Sequence, residues 1–84
     1  NKTKIIGIFT DGDLRRCINN KIDIHKTQIK EVMTKDFKTI SSESLAVDAA
    51  EMMEQNKIFT LVVMNKKKYV GVISMHDLIE ARIL

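Results

Sequence analysis

Gly7-Ile8-Phe9-Thr10-Asp11-Gly12-Asp13-Leu14-Arg15-Arg16 stands near the start of this 84-residue chain. Its pattern returns 64 positions later, from 7 to 71, as Gly71-Val72-Ile73-Ser74-Met75-His76-Asp77-Leu78-Ile79-Glu80. Glycine falls on glycine, an apolar pair on an apolar pair, Thr10 on Ser74, Asp13 on Asp77 and Leu14 on Leu78. A repeat this close in so short a chain points to two copies of one structural unit. Each copy reads as an apolar strand that turns abruptly into a helix, with a hydroxyl residue at the turn and an aspartate at the helix start. Such oxygens cap free backbone N–H groups, and those same N–H groups favour an anion such as phosphate. Capping alone accounts for these residues in a single copy; their recurrence points beyond it.

Outward from the first copy, Asn1 to Lys4 is a polar lead-in, and Ile5-Ile6-Gly7-Ile8-Phe9 is a continuous apolar run of the kind buried on both faces of a layered α/β sheet. Leu14, Cys17 and Ile18 fall at i, i+3 and i+4 and predict a helix from about Asp13 to Ile18, ended by Asn19-Asn20. Lys21 to Gln28 reads as a polar connector anchored by Ile22 and Ile24, with His25 at the surface. Ile29 to Thr34 predicts a short turn with Ile29, Val32 and Met33 inward. Phe37-Lys38-Thr39-Ile40 is a strand candidate, followed by Ser41-Ser42-Glu43-Ser44 as a turn leading to an N-cap. The next helix is predicted over Leu45 to Gln55, with Leu45, Ala49, Met52 and Met53 as its inward stripe. Ile58 to Met64 contains a strand, paired across a Lys66-Lys67-Lys68 turn with Tyr69-Val70-Gly71-Val72-Ile73. The last helix starts near Met75 and carries Leu78 and Ala81 in the register of Leu14 and Cys17. The second copy is therefore a complete βαββα unit, and the first supplies only a closing strand and helix.

Composition sets the class. At 44% hydrophobic and 30% charged residues the chain is ordinary for a soluble domain, and no apolar run approaches the ~20 residues of a membrane span. No secretory signal is visible, so the reading is cytoplasmic, and a chain beginning at Asn1 reads as a fragment. One cysteine, Cys17, excludes an internal disulfide and offers no metal cluster. A net charge of +3, no Trp and one Tyr leave little for base stacking, which argues against nucleic acid. A core of this size is marginal alone, so partners are expected.

The motif Gly-hydrophobic-hydrophobic-[Ser/Thr]-x-x-Asp-Leu, standing twice, resembles the closing strand and helix of the CBS repeat, a module that pairs into a nucleotide-binding regulatory unit. More narrowly, Gly-Ile-Phe-Thr-Asp-Gly-Asp-Leu-Arg-Arg and the later Met-His-Asp-Leu resemble the C-terminal CBS pair, or Bateman module, of bacterial arabinose-5-phosphate isomerases, which feed Kdo synthesis for lipopolysaccharide or capsule. The resemblance implies an α/β (α+β) CBS-domain fold: the C-terminal part of a first repeat over residues 1–20, a connector over 21–28 and a complete second repeat over 29–84. Lys35-Asp36-Phe37 departs from the family after Val32-Met33-Thr34, where a proline is more usual.

The same resemblance implies a nucleotide cleft that both corners face. Asp13 and Asp77 would accept hydrogen bonds from ribose hydroxyls, and Thr10 and Ser74 would meet phosphate or ribose. The backbone of Thr39 and Ile40, with an apolar wall of Leu61, Val62 and Val63, would hold the base, and His76 would add a donor near the anion. An ionised aspartate is acceptor-only and suits a vicinal diol. Asp11 places a negative charge beside Thr10, while Gly12 leaves the backbone open to close approach.

Aldose-ketose isomerisation needs a base positioned between adjacent carbons. No such constellation is visible in these residues, and in the resembled family catalysis belongs to an upstream sugar-isomerase domain. The expected role is a regulatory and assembly module that self-associates, requires no cofactor, and takes a nucleotide or CMP-sugar such as CMP-Kdo as its candidate ligand. Two other readings stand beside it: a ligand-free structural CBS module, and a CBS pair from another regulated protein such as a transcription regulator or transporter.

Overall fold

The chain folds as two compact units that divide at Phe37/Lys38. The computed structural model describes residues 4–82; the lead-in at 1–3 and the final positions 83 and 84 of the expected second repeat lie outside them.

In the first unit, helix α1 spans Asp11–Asn19 and a single turn, α2, spans Ile29–Val32. The inward face of α1 is carried by Asp13 and Cys17, each 3% exposed, whereas Ile18 is left exposed. Lys21 takes a left-handed φ of 59° and the Ile22 N–H reaches back to the Cys17 carbonyl at 2.9 Å, closing the helix as a glycine usually would. The run Ile5 to Phe9 departs from the expected strand buried on both faces. It is extended, but it makes one antiparallel bridge, Ile8 to Thr34, and Ile6 is 65% exposed. Burial on both faces needs packed layers above and below a strand, and here Ile6 and Phe9 are left exposed, with Thr34 supplying a single rung at the edge. Ile24 and Ile29, expected inward, are also exposed, while Val32 and Met33 are half-buried.

The second unit realises the βαββα order: β1 Thr39–Ser41, α3 Ala46–Asn56, β2 Thr60–Asn65, β3 Lys68–Ser74 and α4 Met75–Glu80. β1 runs parallel to β2 with Thr39 opposite Val62, and β2 runs antiparallel to β3 with Leu61 opposite Ile73. The parallel pair requires a crossover, which α3 provides. A register shift between Val63 and Met64 leaves Val70 without a partner opposite it. The hairpin loop is Lys66-Lys67, with Lys66 at a φ of 61°, and Lys68 already belongs to β3.

Ile40, Ala49, Ala50, Met53, Leu61 and Leu78 form the core of this unit. Met53, Leu61 and Leu78 are wholly buried, each worth about 1.5–3 kcal/mol relative to exposure. Ala50 takes the place expected of Leu45, which is 68% exposed. Leu45 is the N-cap of α3, with extended backbone at φ −78° and ψ 153°, so its side chain does not join the helical stripe. Its N–H is taken by the Asp48 carboxylate at 3.1 Å rather than by the serine cluster before it. Ala81 likewise does not play the part of Cys17: α4 ends at Glu80 and Ala81 is its exposed cap.

Candidate functional site

The first corner is built at Thr10, whose extended backbone, φ −115° and ψ 175°, feeds directly into α1. Asp13 sits at the third helical position, so its carboxylate folds back onto the turn. Its Oδ2 accepts from the Thr10 N–H at 2.8 Å and the Thr10 hydroxyl at 3.0 Å. Its Oδ1 accepts from the Thr34 hydroxyl at 2.7 Å and from the Arg16 guanidinium. Four donors fill the roughly four lone-pair positions a carboxylate offers. Burial pushes the Asp13 pKa up, but the Thr10 N–H, the two threonine hydroxyls and Arg16 outweigh it and hold the group below the usual carboxylate value. Thr34 is gripped a second time through its backbone, which exchanges hydrogen bonds with Ile8 at 2.9 and 2.8 Å.

The second corner repeats the backbone and changes the chemistry. Ser74 is extended, φ −119° and ψ 162°, and forms a reciprocal box with Asp77. The Ser74 N–H donates to Asp77 Oδ2 at 2.9 Å, and the Asp77 N–H donates to Ser74 Oγ at 3.1 Å. Asp77 is exposed. The Ser74 N–H, helped by the Ser74 side chain and by His76 against a small desolvation, holds its pKa below the usual value. Among the described residues, Asp77 Oδ1 has no hydrogen-bond donor and Ser74 alone donates to the carboxylate. His76 is exposed, with Nε2 3.7 Å from Glu80 Oε2 on the next turn.

The sheet of the second unit places the remaining candidates. Thr39 is exposed and lies opposite Val62, which is wholly buried. The Val62 N–H donates to the Lys38 carbonyl at 3.1 Å. Ile40 points its side chain into the core. The expected wall of Leu61, Val62 and Val63 is not one surface. Alternation puts Leu61 and Val63 on the face packed with α3 and α4, and Val62 on the other. Missed at the sequence level were Arg16 and Thr34 as partners of Asp13. Arg16 was legible as an i, i+3 cation on a helix; Thr34, 21 positions away, carried no local signal. Among the described residues, no three His, Cys, Asp or Glu side chains are grouped to hold a metal ion.

A βαββα unit closed by a hydroxyl-to-aspartate corner is the architecture of one known module. Residues 29–84 match the CBS domain model, and the chain belongs to the CBS domain family. More particularly, it is 46% identical over 82 residues to the arabinose 5-phosphate isomerase KdsD of Pseudomonas aeruginosa, and 41% identical over 81 residues to that of Yersinia pestis. Each alignment covers 96% of this chain and 25% of the relative, so the chain spans about a quarter of these enzymes. A protein with CBS domains from Burkholderia ambifaria superposes with a TM-score of 0.86 at 24% identity, covering 99% of this chain and 62% of that one. A CBS domain protein from Pyrobaculum aerophilum, complexed with AMP, superposes at 0.79 and 24% identity, covering 93% and 59%. These structures establish the fold.

Proposed function

We propose that this chain is the regulatory and assembly CBS module of a cytoplasmic arabinose 5-phosphate isomerase, which interconverts D-arabinose 5-phosphate and D-ribulose 5-phosphate for Kdo and lipopolysaccharide synthesis. The module binds a nucleotide or nucleotide-sugar and biases a sugar-isomerase domain carried elsewhere in the longer chain. The chain's identity to the KdsD relatives supports the parent enzyme, and the AMP complex of the Pyrobaculum protein supports the class of ligand. One observation carries the binding reading. Asp77 is an exposed carboxylate, fixed by Ser74 through Oδ2 and open at Oδ1, which suits one hydroxyl of a ribose diol. The Ser74 hydroxyl, accepting from the Asp77 N–H, would turn its proton from the Asp77 carboxylate to a phosphate or ribose oxygen. Thr39 and Ile40 offer backbone groups for the base. His76 supplies a cation near the anion when protonated. Regulation follows only if the ligand binds two states of the enzyme with different affinity.

Assembly has its own support in side chains such as Phe59, Val70 and Val72, which stand 71%, 53% and 56% exposed. Where such side chains are contiguous they mark an interaction surface. Thermal denaturation with ATP, AMP, CMP and CMP-Kdo tests the binding reading. A ligand at 100 times its dissociation constant adds about 2.7 kcal/mol to stability. A shift that Asp77→Asn abolishes is the expected result; no shift with any of the four leaves a purely structural module.

A further inference from the structure

We infer that the Asp13 carboxylate is a latch between the start of α1 and the Thr34 segment, and that each chain therefore takes one nucleotide, at Asp77, in spite of its two matching sequence motifs. This deepens the binding reading above and rests on it for the count of ligands; the latch itself does not.

The argument is one of acceptor capacity and access. Asp13 is 3% exposed, and its oxygens already receive the Thr10 N–H, the Thr10 and Thr34 hydroxyls and the Arg16 guanidinium. A ribose diol offers two neutral hydroxyl donors. To reach Asp13 they would have to displace donors that include a charged one, and to uncover a carboxylate whose surroundings are closed. Thr34 cannot withdraw to make room either, because Ile8 holds its backbone in place. At the second corner none of this applies. Position 80, matching Arg16, is a glutamate that lies against His76, and Asp77 stands in solvent.

Isothermal titration of the 84-residue chain with AMP and with CMP reads the count directly. The expected stoichiometry is at most one per chain, with Asp77→Asn weakening binding at least tenfold and Thr34→Val leaving it within twofold. Two binding events per chain, or loss of binding in Thr34→Val, would overturn the inference. If neither AMP nor CMP binds, the functional reading falls, and the latch is judged by stability. A double-mutant cycle between Asp13→Ala and Thr34→Val in urea should be strongly non-additive, because each removes the Asp13–Thr34 bond. Additive losses would sink the latch whatever the ligand result.

Discussion

The corners at Thr10 and Ser74 have nearly the same backbone and matching residues, yet one aspartate is closed and the other open. One substitution in the pattern and one added contact account for it. Arg16 at the first corner corresponds to Glu80 at the second, reversing the charge one turn beyond the aspartate. Thr34 adds a hydroxyl from a distant segment to the first corner only. A repeated motif thus preserves the turn, while residues around it decide whether its carboxylate is closed into the fold or left open to solvent.

The largest expected effect breaks or keeps this contrast directly. Asp13→Asn replaces an acceptor of four donors with an amide that cannot receive them all. Hydrogen bonds to charged groups are worth about 1.5–3 kcal/mol, so the unfolding free energy in urea should fall by about 2–3 kcal/mol. Asp77→Asn should move the urea midpoint far less, since its carboxylate is solvated in both states. Equal losses would mean that the two corners do the same work. The pH dependence follows with a definite sign. Asp13 has a folded pKa below its unfolded value of about 3.9, so the unfolded chain binds more protons, and the stability it contributes is full above that value and lost as pH falls through the folded one. Urea midpoints taken from about pH 5 to pH 2.5 should fall steeply in the wild type and less steeply in Asp13→Asn.

The matched glycines sharpen the comparison at a smaller scale. A Cβ on Gly7 would lie 2.6 Å from Met33 Sδ and 3.0 Å from the Thr34 carbonyl oxygen, whereas one on Gly71 would meet nothing within 4 Å. The Met33 thioether can swing aside, but the Thr34 carbonyl is fixed by Ile8. Gly7→Ala is therefore expected to cost about 1–2 kcal/mol through overpacking. Gly71→Ala should be neutral or gain up to about 0.5–1 kcal/mol, because glycine weakens a strand interior. Thermal midpoints of the two variants check both, and a destabilising Gly71→Ala would show that the β3 glycine has a role its open surroundings do not reveal.

What could be read in advance follows from how local each determinant is. The βαββα order, the crossover helix with Ala49 and Met53 inward, the lysine hairpin and buried Cys17 were legible because each rests on spacing within one element. The stripe on α3 was misread at its first position because Leu45 fits the period but precedes the helix, leaving Ala50 to fill the core. The strand expected at Ile5 to Phe9 depended on neighbours that spacing cannot supply. At the candidate site, the corner residues stood out by repetition. The closure of Asp13 did not, since Thr34 approaches it only after the chain has passed through α1 and α2.

The smallest expected change in stability comes from carrying the first corner's charge to the second. In Glu80→Arg, a guanidinium is placed three residues beyond Asp77, as Arg16 is beyond Asp13, where it can engage the open Oδ1. The pair is exposed and screened, so the thermal midpoint should scarcely move. AMP affinity, in contrast, should drop several-fold, because the new donor competes with the ribose hydroxyl for the same oxygen. The loss should shrink as salt is raised, since screening weakens the arginine pair more than a hydrogen bond from a neutral diol. Tighter binding in this variant would instead mean that ligand phosphate charge, and not the free oxygen of Asp77, governs recognition at this corner.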